Sequence, residues 1–108
     1  MRDGIWLSFL ALFIAAGQAR AQEAGHPAHG LALAQQVCSE CHAVLRGEAR
    51  SPNSGAPTFA ELASTPGMTS AALLVALTTP HAGMPMFRLT AEQRADVIAY
   101  VLSLQRSN

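Results

Sequence analysis

Cys38-Ser39-Glu40-Cys41-His42 decides how the rest of this chain is read, because Cys38 and Cys41 are its only two cysteines. A Cys-x-x-Cys-His run is the pattern of covalent haem attachment. Each sulfur can add to one vinyl group of the macrocycle, and the spacer between the cysteines matches the separation of those vinyls. The histidine directly after Cys41 then projects under the ring, where it can ligate iron. Three other readings compete. A thioredoxin-like redox pair wants a βαβ context, and the chain has no strand-like runs. A closed structural zinc site needs a full tetrahedral set of ligands. No second cysteine pair exists, and His26, His29 and His81 lack zinc-finger spacing. A plain disulfide is the third; haem is favoured over all three because the adjacent His42 and the export-like N-terminus both agree with it.

Outward toward the N-terminus, Arg2 supplies a positive end that Asp3 partly cancels, Ile5 to Ala16 (IWLSFLALFIAA) is apolar, and Ala19-Arg20-Ala21 is an Ala-x-Ala cleavage signal. An apolar run of about a dozen residues is short for a bilayer span, which takes about 20. Residues 1–21 are therefore expected to be a cleaved signal peptide, with an uncleaved membrane anchor as the alternative. Export points to a periplasmic protein, with no stable membrane insertion after cleavage. Trp6, Phe9 and Phe13 leave with the signal, so Phe59, Phe87 and Tyr100 are the aromatics that remain. A chain this small seldom builds a sufficient core without a staple or cofactor. A covalently held haem, large and apolar, is the expected centre. All seven basic residues are arginine and they balance seven acids. No basic stripe for nucleic acid results.

Residues 22–29 (QEAGHPAH) mix Gly, Pro and His without apolar period and read as a flexible leader, followed by a single domain over 30–108. His26 and His29 could bind a stray metal ion, but a solvated linker is the favoured reading. From about Leu31 helix formers run into the cysteine motif. Val44 to Pro57 is a long loop by composition, and a loop of that length is usually packed on something, here the haem edge. Thr58 to Ala63 can form a short helix. Thr69 or Ser70 can cap a helix over Ala71 to Leu77, which Thr79-Pro80 ends. Thr90 opens the last helix with Gln93 as a capping box. Its apolar face runs Val97, Tyr100, Val101, Leu104, with Glu92, Arg94, Asp96 and Arg106 mostly off that stripe. The fold class is all-α, with three to five short helices.

His42 is the expected proximal ligand of the iron. Its other ring N–H needs an acceptor to fix the ring and raise its basicity, and the carbonyl of Pro57 is the candidate, unless Pro57 only stops the preceding loop. For the sixth position the candidates are Met84, Met86, His81 and Met68, with open coordination as a further alternative. Met84 ranks first because a thioether favours reduced iron and because Gly83-Met84-Pro85 is a loop that can approach the ring.

These residues together resemble a small bacterial class I cytochrome c over most of the chain after the signal. Gly30, eight residues before Cys38, resembles the glycine of that family's first helix, and Tyr100 the last-helix aromatic against which it packs. Gly55-Ala56-Pro57 resembles the family's Gly-Pro turn, and Gly83-Met84-Pro85 its distal Met-Pro segment. The resemblance implies one covalently attached haem c with His/Met-ligated iron, carrying single electrons between periplasmic donor and acceptor proteins rather than catalysing a reaction. A haem subunit of a periplasmic dehydrogenase complex and a small-gas sensor or binder are the alternatives. The chain departs from its relatives in three ways. It has no tryptophan after the signal to hold a propionate, leaving Arg46, Arg50, Ser51, Asn53 or Ser54 for that role. Ala34 stands where relatives often carry a large apolar residue. No lysine is present, so a largely uncharged docking patch is expected around the haem edge, near Val44 and Pro85.

Overall fold

A computed structural model describes residues 25–105. The expected signal peptide at 1–21, the start of the leader and Arg106 lie outside the described residues. Four helices follow in order: α1 Pro27–Val37, α2 Phe59–Ser64, α3 Ser70–Thr78 and α4 Ala91–Ser103. The sole extended pairing among the described residues is an isolated bridge between His81 and Met84. The all-helical reading holds.

α1 begins at Pro27, four residues before Leu31, so the end of the segment read as leader is helical. Proline at the first helical position costs no hydrogen bond, since that N–H has no intrahelical acceptor. The N-cap His26 contributes no side-chain cap. Its backbone N–H is instead taken by the Asp96 carboxylate of α4 at 2.8 Å. The cap is thus tertiary, and Asp96 is buried at the crossing rather than exposed.

The α1–α4 crossing is the frame of the molecule. Gly30 and the fully buried Ala34 sit at it. A Cβ on Gly30 would fall 1.9 Å from the Asp96 carbonyl oxygen and 2.8 Å from Tyr100 Cβ. Small residues on α1 therefore let the two backbones touch, which is why Ala34 rather than a larger side chain fits here. α4 buries the stripe Val97, Tyr100 and Val101, with Leu104 just beyond its end. Its capping box is formed as expected, Thr90 N–H to Gln93 Oε1 at 2.9 Å and Gln93 N–H to Thr90 Oγ1 at 3.1 Å. At the other end Arg46 donates to the carbonyls of Ser103 (3.0 Å) and Leu104 (3.5 Å), satisfying carbonyls that the last turn leaves free.

α2 is capped by Thr58 and α3 by Thr69. α3 is apolar on every side, yet Leu73 is its one buried residue, and Val75 is 60% exposed. No helix among the described residues is long and apolar enough to cross a membrane.

Candidate haem-attachment site

α1 ends at the first cysteine. Cys38 N–H still donates to Ala34 O at 2.8 Å, and the chain then turns sharply, with Cys41 N–H and His42 N–H both donating to Cys38 O at 3.2 and 2.9 Å. This turn brings Cys38, Cys41 and His42 onto one short arc. Both cysteines are free thiols, Cys38 buried and Cys41 half-buried. Burial pushes the Cys38 thiol above its ordinary value, the opposite of what a reactive dithiol needs. No cluster of three or more His, Cys, Asp or Glu suited to a metal occurs among the described residues, so the zinc reading finds no ligand set there.

His42 is buried at the base of the turn. Its Nδ1 lies 2.6 Å from Pro57 O. A carbonyl can only accept, so Nδ1 carries the proton and Nε2 of the neutral ring keeps its lone pair. The backbone on either side is held as well. Asn53 N–H donates to Cys41 O at 3.1 Å, Phe59 N–H to Ala43 O at 2.9 Å, and Ala43 N–H to Ser51 Oγ at 3.0 Å. Tyr100 O–H donates to Val44 O from α4. The loop after the cysteine motif is therefore folded back on that motif by polar contacts.

The expected sixth-position residues divide. His81, Ala82, Gly83 and Met84 make one turn, in which Met84 N–H meets His81 O at 3.4 Å and Gly83 has φ +82°. That positive φ explains the glycine without any need for close approach. His81 Nε2 lies 3.2 Å from Met84 Sδ. Met84 is half-buried, Met86 is 49% exposed, and Met68 packs partly against the core.

The residues expected near the rim divide by burial and by partner. Val44 is 2% exposed, so it belongs to the core and cannot border a docking patch; its neighbour Leu45 is the exposed one. Arg46 is engaged by the C-terminus of α4 and is poorly placed for a propionate. The Asp96 cap, the Arg46 cap and the packing of Phe59 against His42 (ring centroids 5.4 Å apart) were not legible in the sequence. The Thr58–Glu61 capping box that fixes α2 is a further feature missed, although the Thr-x-x-Glu pattern is a signal that could have found it.

The residues present fit a covalently held haem. Two free thiols precede a histidine whose Nδ1–H is already placed on a backbone oxygen, the usual arrangement of a metal-ligating imidazole. Large apolar side chains stand exposed on three segments: Leu45 after the motif, Leu74 and Val75 on α3, and Met86 and Phe87 beyond the turn.

The family described as "Cytochrome C oxidase, cbb3-type, subunit III" matches residues 25–101. Among curated proteins, "Cytochrome c-552" of Bradyrhizobium diazoefficiens is 36% identical over 96 residues, covering 89% of this chain and 88% of that protein. No solved structure matches. A match spanning nearly all of the described helices, joined to a Cys-x-x-Cys-His turn with a correctly held histidine, puts this chain in the c-type cytochrome family, as a carrier of electrons on covalently bound haem c and not a catalyst.

Proposed function

We propose that the chain is an exported mono-haem carrier that passes single electrons between periplasmic partners, with thioethers at Cys38 and Cys41 and axial ligands His42 and Met84. The hydrogen bond from His42 Nδ1 to Pro57 O carries this reading, because it leaves Nε2 as the donor atom. Bound haem supplies the one-electron couple of its iron; the protein sets its potential and access. The Pro57 carbonyl raises the basicity of His42, while the Met84 thioether favours the reduced iron. The export-like N-terminus supports the periplasmic assignment.

Met84→Leu is expected to abolish the weak sulfur-to-iron absorption at the red end of the ferric spectrum and to lower the potential. Met86→Leu is expected to leave both in place. The reverse pattern would give the role to Met86, and loss of native ligation in His81→Ala would give it to His81, which shares a turn with Met84. The matching family is that of an oxidase subunit, which favours a second reading of the chain as the haem module of a larger oxidoreductase. Co-purification with a larger cofactor-bearing subunit decides between the two.

A further inference from the structure

Phe59 stands where three parts of the molecule meet. Its ring centroid is 5.4 Å from that of His42, with the planes tilted by 54°, and 6.3 Å from that of Tyr100, tilted by 50°. Both separations lie in the range where tilted aromatic pairs attract. The side chain is 4% exposed, so close packing leaves it little room to swing. Its N–H, donating to Ala43 O, ties the first residue of α2 to the residue after His42. Two positions earlier Pro57 O takes the Nδ1–H of the same imidazole. Thr58, between them, is locked in both directions, its N–H to Glu61 Oε2 at 2.7 Å and Glu61 N–H to Thr58 Oγ1 at 3.0 Å. One rigid turn thus holds His42 at two points.

The bond to Cβ and the hydrogen bond at Nδ1 limit the His42 ring but still allow it to rock within the width of a hydrogen bond. A side chain packed beside the ring narrows that rocking. We propose that Phe59, backed by Tyr100 and carried on the capped start of α2, is a positioning residue that fixes the plane of the His42 imidazole. The proposal rests on the reading of His42 as an iron ligand. In a ferric haem the orientations of both iron ligands set how unpaired spin spreads over the porphyrin, so a turn of the His42 ring alters that spread. It is read in the pattern of haem methyl resonances of the ferric protein, not in whether haem is attached.

The test is NMR of the haem-loaded protein. In the wild-type ferrous form the His42 ring protons are expected to be displaced strongly upfield by the macrocycle and to show cross-relaxation to the Phe59 ring. Phe59→Leu, which keeps an apolar side chain, is expected to change the order and spread of the ferric haem methyl resonances. Ile98→Ala, at a buried α4 site outside this ring series, is expected to lower stability and leave that pattern in place. Unshifted His42 protons in the wild type would remove the ligand reading and the proposal with it. Shifted His42 protons without a Phe59 contact, or an unchanged methyl pattern in Phe59→Leu, would overturn the proposal alone. If Phe59→Leu does not fold, Phe59→Met carries the same readout, and an unchanged methyl pattern there overturns the proposal.

Discussion

At His42 one backbone carbonyl determines which ring nitrogen is left for a ligand, and the residues around it show how little slack that arrangement has. Tyr100 illustrates the point from the side of α4. Its phenol is 6% exposed and donates to Val44 O, two residues after His42. Burial pushes the phenol above its ordinary value of 10.0, with Arg46 drawing it down and Glu48 pushing it up. The folded protein therefore keeps a proton that the unfolded chain would release. The stability this contributes is fully present below about pH 10 and is lost as pH rises through the folded value. Tyr100→Phe is expected to flatten the alkaline limb of stability against pH. At neutral pH it is expected to cost about 1–3 kcal/mol, because Val44 O loses a buried partner. Denaturant unfolding at neutral pH and above pH 10 measures both effects. An unaltered alkaline slope would contradict this account of Tyr100.

At the scale of the elements, local signals were legible and non-local ones were not. Thr90-x-x-Gln93 and the stripe Val97, Tyr100, Val101, Leu104 announce α4 because the cap and the period lie within its own segment. The start of α1 was misplaced by four residues because its cap comes from Asp96, 70 positions away. For the same reason Asp96 read as a solvated charge: helical period places it beside the apolar stripe, and only the partner helix explains its burial. Gly30 was legible through its place before the helix and its likeness to a known packing glycine. What packs against it is backbone, not Tyr100 alone, since the Asp96 carbonyl lies closest. Gly→Ala inside a helix ordinarily gains about 0.5–1 kcal/mol. Here the sign is expected to reverse. Gly30→Ala should destabilise, and Gly30→Val should cost about 1–3 kcal/mol or more as overpacking. Thermal unfolding of the haem-loaded protein checks this, and an unchanged midpoint in Gly30→Val would remove the close crossing from the account.

Over the whole molecule, α1 and α4 form the core with α2 behind His42, while α3 and the segments around Leu45 and Phe87 present apolar side chains outward. The haem was legible in five residues; the surface it shares with a partner was not, because Val44 and Leu45 differ in burial for reasons of tertiary packing. With no lysine and, after residue 21, five arginines against six acids, long-range steering is expected to be weak. Electron-transfer rates with a partner are expected to fall by less than about tenfold from low to high salt, and to fall further when Leu45 or Phe87 is replaced by Glu. A steep salt dependence would point instead to a charged docking site that includes Arg50. The central claim, that Cys38 and Cys41 hold a haem covalently, is tested most directly by the intact mass of the protein matured with a haem-attachment system. The account predicts the polypeptide plus one haem, resistant to acid-acetone extraction. A free dithiol or a zinc-bound protein from that same preparation would contradict it.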